Sequence, residues 1–140
     1  DSDFEEFNAL GDSLAAQFDK IEVLPDLFIN GKFTLGENIG DLGGVNSAFD
    51  GLEIYLNKHG DIDDIDGFSQ QQRFFISWAT IWRTKMREEA LRTRIMTDPH
   101  SPGMYRGYVP LQNIQAFYDA FNIQNSDKMY LAPENRIKIW

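Results

Sequence analysis

The feature that most constrains the fold is an apolar stripe that keeps helical spacing through a glycine-rich stretch. Its members are Leu35, Ile39, Leu42, Phe49 and Leu56. Residues three, four and seven apart share one face of a helix. The stripe runs through GENIGDLGG, residues 36–44, although a helix-interior glycine costs about 1 kcal/mol relative to alanine. We predict a helix from about Leu35 to Leu56 that ends near Gly60, and its glycines require a physical reason.

Three further segments show the same helical spacing. A first helix is marked by Phe4, Phe7, Leu14 and Phe18; a long one, from about Ser69 to Met96, by Phe74, Phe75, Trp78, Ile81 and Trp82; and a short one by Ile114, Phe117 and Phe121. Ser69 and Gln72 have the spacing of a capping box, which marks a helix start. The fold class predicted is mainly α, with about four helices joined by irregular loops in one domain, 1–140.

The connections carry turn and loop signals. Residues 22–34 predict an extended link with Pro25 and a turn at Asn30–Gly31. Residues 61–67, DIDDIDG, predict a solvated acidic loop, because Ile65 stands where an EF-hand needs an oxygen ligand. Residues 98–110, DPHSPGMYRGYVP, contain three prolines and two glycines and predict no regular element.

Composition excludes several classes of function. The net charge of −9 argues against nucleic acid as a main partner. The absence of cysteine excludes disulfides, thiolate zinc sites and cysteine nucleophiles, and no apolar run is long enough for a membrane segment. Residues 1–66 hold 16 acids and 3 bases, whereas residues 67–140 hold 6 acids and 10 bases. The two halves either attract each other or present solvated faces of opposite sign.

A helical wheel relates the glycines to two acids, Glu37 and Asp41. At 100° per residue the acids lie side by side, and the small residues form one strip next to them. This small-residue strip consists of Gly36, Gly40, Gly43, Gly44, Ser47 and Gly51. A strip without side chains lets another backbone approach closely, so we predict a docking surface with both acids facing the docked element. The alternative is two exposed acids beside ordinary helix packing.

Two acids four residues apart repel each other, so their burial requires a partner such as a metal, a histidine or an arginine. His100 and Arg106 lie in the proline-rich segment and can donate hydrogen bonds to a developing oxyanion or to substrate carbonyls. Alternatively, His100 anchors its loop. His59 is predicted to be a surface residue. One Glu and one His do not make a catalytic zinc site, which usually takes three protein ligands.

Three segments and the last residue together resemble a known family. They are NGKFTLGENIGDLGG, QQRFFISWATIW, TDPHSPGMYR and the C-terminal Trp140. In this order they resemble the C-terminal third of the neprilysin and endothelin-converting enzyme family of zinc metallopeptidases, whose bacterial members are often called oligopeptidase O. The resemblance implies the C-terminal subdomain of a gluzincin-type catalytic domain, with Zn²⁺ as cofactor and peptides as substrates.

The resemblance also implies a role for each matching residue. Glu37 corresponds to the third zinc ligand, beside the two His of an H-E-x-x-H helix, and Asp41 to the acid that orients one of those His rings. His100 corresponds to the residue that stabilises the tetrahedral oxyanion, and Arg106 to the one that binds substrate backbone carbonyls. Trp82 corresponds to a wall of the pocket for the residue after the scissile bond. Alternatively, Trp82 is an ordinary core residue.

This chain departs from the family pattern in three ways. H-E-x-x-H, which lies upstream in the family, is absent, Gly40 replaces a common Ala, and the cysteines of vertebrate members are missing. We therefore expect part of a bacterial endopeptidase, cytoplasmic or exported, whose partner is the missing N-terminal part carrying H-E-x-x-H. Alone, the chain should bind zinc weakly and lack peptidase activity. The alternative function is a non-catalytic, acidic helical binding module that retains the peptidase fold.

Overall fold

The computed structural model describes residues 1–139, and Trp140 lies outside the described residues. The elements in chain order are α1 (Ser2–Asp19), β1 (Glu22–Leu24), β2 (Leu27–Phe28), α2 (Leu35–His59), α3 (Gln70–Ile81), α4 (Glu88–Thr97), α5 (Gly103–Tyr108), a 3₁₀ turn (Pro110–Asn113), α6 (Gln115–Phe121) and a second 3₁₀ turn (Pro133–Asn135). The mainly helical class is confirmed. The described residues form six α-helices rather than about four. The sequence pattern predicted α3 and α4 as one helix and did not predict α5.

Helix α2 occupies the middle of the fold and confirms the predicted glycine-containing helix. It ends at Gly60, whose φ of 84° lies in the left-handed region that glycine adopts without strain. Leu42, Phe49 and Leu56 are buried from its stripe. On one side α2 packs against α1, and on others against α3 and the first 3₁₀ turn. Because α2 contacts several elements, polar side chains on its different faces can reach different neighbouring elements.

The predicted long helix over 69–96 is wrong, because the chain leaves the helical path after Ile81. Trp82 caps α3, and the Thr84 amide then donates to the Trp82 carbonyl at 2.8 Å. A continuous helix would also place Arg83 and Arg87 four residues apart, where like charges repel. The start of α3 is as predicted: Ser69 and Gln72 form both hydrogen bonds of the capping box.

The prediction that residues 98–110 hold no regular element is also wrong, because α5 lies within them. None of the three prolines falls inside this helix: Pro102 is its N-cap, and Pro110 starts the following 3₁₀ turn. Proline is tolerated at a helix start because the amide it lacks has no partner there. The prolines therefore delimit α5 rather than prevent it.

The link between α1 and α2 contains a small hairpin. β1 and β2 pair antiparallel, and Asp26 turns between them with a φ of 59°. Gly31 then packs against α1 so closely that a Cβ at this position would overlap the carbonyl of Ala15. The predicted turn at Asn30–Gly31 is confirmed, since the Thr34 amide donates to the Asn30 carbonyl at 3.0 Å, and the turn lies in close contact with α1.

The core is built from α1, α2, α3, α6 and the first 3₁₀ turn, together with residues of the connecting segments. Its buried members are Leu14, Phe18, Ile29, Leu42, Val45, Phe49, Phe75, Val109, Leu111, Ile114, Phe117, Tyr118 and Ile137. Phe75 stacks on Phe49 at 5.1 Å between ring centroids and meets the edge of Phe117 at 5.5 Å. The stripe of α1 is only half used, since Phe4 is 65% exposed and Phe7 41%. Within residues 1–139 no helix has the length and apolarity needed to cross a membrane.

Candidate functional site

The acids of α2 meet Arg106 of α5. Arg106 Nε donates to Asp41 Oδ2 at 2.7 Å and Nη2 donates to Asp41 Oδ1 at 2.8 Å, which makes a two-pronged ion pair. Nη2 also donates to Glu37 Oε2 at 3.2 Å. The side chain of Asp41 is only 8% exposed, whereas that of Glu37 is 44% exposed. The alternative of two exposed acids is therefore wrong for Asp41.

Arg106 keeps part of its hydrogen-bonding capacity after making these contacts. A guanidinium has five N–H donors, and the bonds to Asp41 and Glu37 use only Nε and Nη2. Within residues 1–139, Nη1 donates no hydrogen bond, and the Arg106 side chain as a whole is 11% exposed. The hydrogen bond from Arg106 to Asp41 raises the pKa of the guanidinium further. The group is a fixed cation whose Nη1 edge is not hydrogen-bonded by any described residue.

His100 lies beside the same acids and is held by Asp98. Its Nδ1 lies 2.5 Å from Asp98 Oδ1, and its backbone amide donates to the same oxygen at 3.0 Å. Nε2 lies 3.4 Å from Glu37 Oε2. The hydrogen bond from the His100 ring lowers the pKa of Asp98 below its usual value. Asp98 thus holds Nδ1, and Nε2 is the ring nitrogen that faces the acids of α2.

Asp98 was not predicted from the sequence. The available signal was an acid two residues before a histidine in a turn-rich segment, a spacing that lets the carboxylate reach both the backbone and the ring. Arg94 Nε lies 3.2 Å from the other oxygen of Asp98. Asp98 therefore connects α4 to the histidine.

A buried polar chain fixes the His100 segment to α2. Ser101 Oγ donates to Asn38 Oδ1 at 2.9 Å, and Asn38 Nδ2 donates to Thr34 Oγ1 at 2.9 Å. Ser101 is 0% exposed and Asn38 1%. Because Asn38 follows Glu37 directly, this chain sets the position of His100 relative to Glu37. The sequence reasoning missed both residues, since polar side chains give no periodic signal of burial.

Trp82 lies at the end of α3, under the same arginine. The guanidinium carbon of Arg106 is 4.2 Å from the centroid of the Trp82 ring. Trp82 is half-buried, so it is neither a fully enclosed core residue nor a free surface residue. The structure thus brings Glu37, Asp41, His100, Arg106 and Trp82 together, whereas His59 is exposed on the surface as predicted.

The small-residue strip lies open on the surface of α2. Gly36, Gly40, Gly44 and Gly51 are exposed, and a Cβ at any of them would meet nothing within 4 Å. Gly43 is the exception, since it is buried on the core side of the helix. Within the described chain, therefore, no packing contact accounts for these four glycines.

Among the described residues, Glu37 is the candidate metal ligand. Residues 1–139 contain no cluster of three or more His, Asp or Glu side chains that could hold a metal. Glu37 presents a half-exposed carboxylate, and its Oε1 has no hydrogen-bond partner among the described residues. Catalytic zinc usually takes three protein ligands. Glu37 can supply one of them.

Comparisons with known proteins identify the class and then the family. In fold, the chain matches a zinc metalloprotease of Mycobacterium tuberculosis, Zmp1, solved with an inhibitor: the TM-score is 0.94 at 39% identity over 100% of this chain and 22% of that one. It also matches PepO from Lactobacillus rhamnosis, with a TM-score of 0.77 at 37% identity over 99% of this chain and 20% of that one.

In sequence, the family model for peptidase family M13 matches residues 1–137. A neutral endopeptidase of Lactococcus lactis subsp. cremoris is 38% identical over 100% of this chain and 20% of its own length. Mus musculus neprilysin is 37% identical over 80% of this chain and 15% of its own length. The chain belongs to peptidase family M13. It spans about a fifth of the length of the first of these relatives.

Proposed function

We propose that the complete protein is a zinc-dependent endopeptidase that hydrolyses peptide bonds in oligopeptides. In this proposal, residues 1–140 form a single domain, the C-terminal portion of its catalytic domain. The observation that carries the proposal is the convergence of Glu37, His100 and Arg106, which come from α2, the 98–102 segment and α5. A carboxylate, an imidazole and a guanidinium at one surface supply a metal-ligand oxygen and two donors for a carbonyl or an oxyanion.

Glu37 would be the zinc ligand that this chain contributes. Zinc, when bound, lowers the pKa of a coordinated water and polarises a substrate carbonyl. Asp41 would hold a ligand histidine of the missing part in its metal-binding tautomer. Its carboxylate already accepts two hydrogen bonds from Arg106, and a carboxylate has about four acceptor positions. Asp41 can therefore serve Arg106 and a histidine together.

His100 and Arg106 would act on the substrate. His100 would donate Nε2–H to the oxyanion of the tetrahedral intermediate, with Asp98 fixing the ring through Nδ1. Arg106 would donate from its free Nη1 edge to a backbone carbonyl of the peptide. Trp82 would form a wall of the pocket for the residue after the scissile bond. Each donor in this set is already oriented by a carboxylate, so little reorganisation is needed on substrate binding.

The small-residue strip would receive the helix that carries H-E-x-x-H. Each exposed glycine costs about 1 kcal/mol relative to alanine in a helix, and the described residues place nothing against any of the four. A closely approaching backbone from the missing part would supply the reason for them. That helix would then lie next to Glu37, which is adjacent to the strip in the first turn of α2.

Glu37→Ala tests the ligand assignment in the complete enzyme. Loss of one of three protein ligands should remove most of the bound zinc and abolish peptide cleavage. Metal analysis of the purified protein and cleavage of an oligopeptide measure the two effects. Glu53→Ala, on the same helix, is the control and should keep both. Full zinc occupancy with normal activity in Glu37→Ala would contradict the assignment.

The isolated 140-residue chain should lack peptidase activity and bind zinc weakly, because it supplies a single ligand. Stoichiometric zinc together with peptide cleavage by this chain would refute that expectation. The second candidate function is a non-catalytic acidic helical binding module that retains the peptidase fold, for which the net charge of −9 is the observation. The coding sequence upstream decides between them: an H-E-x-x-H motif supports the enzyme, and its absence supports the module.

A further inference from the structure

Trp78 of α3 and Trp82, the C-cap of the same helix, contact the backbone and the guanidinium of Arg106. Trp78 and Trp82 lie four residues apart and therefore project from the same face of the helix. Their rings meet edge to face, with centroids 5.5 Å apart at an interplanar angle of 68°. Helix α3 packs against α5 in this region. The pair therefore forms one aromatic surface beneath the helix that carries Arg106.

Trp82 restrains the Arg106 guanidinium through its face. The guanidinium carbon lies 4.2 Å from the ring centroid, a distance at which the ring quadrupole attracts the cation. Asp41 holds the same group by its edge through two hydrogen bonds. An edge contact fixes rotation within the plane of the guanidinium, whereas a face contact fixes its tilt. Together they define the direction of the free Nη1 edge.

Trp78 restrains the backbone of the same residue. Its Nε1 donates to the carbonyl oxygen of Arg106 at 3.3 Å. In a continuing helix this carbonyl would accept from the residue four positions on, which is Pro110 and has no N–H. Trp78 therefore supplies the donor that Pro110 lacks, and it ties the end of α5 to α3.

The glycines of α5 permit this contact. A Cβ at Gly107 would lie 3.3 Å from Trp82 Cβ, and one at Gly103 would lie 2.9 Å from Thr84 Oγ1. Trp82 Nε1 is itself buried without a hydrogen-bond partner among the described residues. The face and edge contacts of the ring, rather than its N–H, therefore hold Trp82 in place.

We propose that Trp78 and Trp82 are positioning residues that set the direction of the Arg106 guanidinium, one through the backbone and one through the ring face. The catalytic consequence rests on the proposed function, in which Arg106 binds a substrate carbonyl. The contact itself does not depend on that function. The two can therefore be tested separately.

The contact is tested by NMR on the 140-residue chain. An aromatic face shields a proton above it, so the Nε–H resonance of Arg106, assigned with Arg106→Lys, should lie upfield of its position in Trp82→Leu. Trp82→Leu should abolish this shift and Trp82→Phe should retain part of it, while circular dichroism confirms folding of both. Arg136, whose guanidinium lies 3.4 Å from the Tyr118 ring centroid, is the internal control and should not respond. An unchanged Arg106 resonance in folded Trp82→Leu would overturn the proposal.

The consequence is tested by kinetics of the complete enzyme. Trp82→Leu should raise KM roughly two- to thirtyfold with a smaller change in kcat, Trp82→Phe should restore part of the loss, and Trp78→Phe should give a smaller rise. In an Arg106→Ala background, Trp82→Leu should raise KM by a smaller factor, because only its contribution as a pocket wall remains. An equal rise in KM in both backgrounds would mean that Trp82 acts only through the pocket wall, which would overturn the positioning role. If the complete enzyme cleaves no peptide, the proposed function fails and the NMR result still decides the contact.

Discussion

At the scale of single residues, the structure pairs every charged group of the candidate site. Asp41 is buried against Arg106, Glu37 lies between Arg106 and His100, and His100 is held by Asp98. A buried ion pair is costly to break, because the remaining charge keeps its desolvation penalty without its partner. Asp41 and Arg106, which are the buried pair, therefore serve the stability of the domain as well as the proposed chemistry.

Asp41→Asn should destabilise the chain by about 2 kcal/mol, since it removes the charge that the buried guanidinium faces. Urea unfolding followed by circular dichroism measures the change. Asp50→Asn, an exposed position on the same helix, is the matched control and should unfold like the wild type. Equal midpoints for both variants would show that the ion pair contributes no net stability.

Ser101→Ala should cost about 1–3 kcal/mol, because it leaves the buried carbonyl of the Asn38 side chain without a donor. The exposed Ser77→Ala controls for the loss of a hydroxyl as such. Thermal unfolding of both variants gives the comparison. A Ser101→Ala protein as stable as Ser77→Ala would argue that water replaces the serine hydroxyl.

At the scale of elements, glycine has opposite meanings in two places. Gly31 is required by contact, since any Cβ would overlap the carbonyl of Ala15 in α1. The exposed glycines of α2 are not required by any contact in the described chain. Gly31 thus marks a close approach between two elements of this domain. In our proposal, the exposed glycines of α2 mark a close approach by the rest of the enzyme.

Gly31→Ala should destabilise the chain by about 1–3 kcal/mol, because the added methyl group forces α1 and the 29–34 segment apart. Gly44→Ala should instead stabilise it by up to about 1 kcal/mol, because alanine is the better helix former at an open position. Unfolding free energies of the two variants test the contrast. A destabilised Gly44→Ala would show that the strip is already packed in the isolated chain.

At the scale of the whole molecule, opposite charges meet at the site. The first half of the chain is acidic and the second carries most of the bases. Among residues 1–139, the lysine and arginine ion pairs that join the two halves are those of Arg106 with Asp41 and Glu37. The other lysine and arginine pairs connect residues within one half. Of the two alternatives left open by the charge asymmetry, attraction between the halves applies at the site, where these ion pairs lie.

Stability should fall in alkaline solution because of two tyrosines near the site. Burial raises the pKa of Tyr105. Burial, together with the charge of the neighbouring Tyr105, raises the pKa of Tyr108. A raised folded-state pKa contributes stability that is fully present below the unfolded value of about 10 and is lost as the pH rises through the folded value. The urea midpoint of the wild type should therefore fall as the pH rises above about 10, and the midpoint of Tyr108→Phe should fall less over the same range. Identical pH profiles for the two proteins would contradict this account.

The sequence by itself determined the elements whose signals are local. The stripe of α2, the Ser69–Gln72 capping box and the glycine stop at Gly60 depend on neighbours within a few residues, and the structure reproduces them. The resemblance carried by GENIGDLGG and DPHSPGMYR led to family M13 for the same reason, since the motifs are contiguous. The long helix failed where a local pattern was overridden by packing: Trp82 and Thr84 bind against α5, which the sequence did not show.

Only the tertiary structure decided the partners. Arg106 is separated from Asp41 by 65 residues along the chain and Ser101 from Asn38 by 63, and no spacing rule connects positions so far apart. The packing of α3, α4 and α5 also decides two further contacts. Asp98 reaches His100, and Trp78 donates to the Arg106 carbonyl that Pro110 cannot serve. Helical periodicity specifies which face of an element is buried, but it does not specify what that face meets. The candidate site consists of contacts between different elements. Its residues could therefore be predicted from the sequence, but the geometry of their contacts could not.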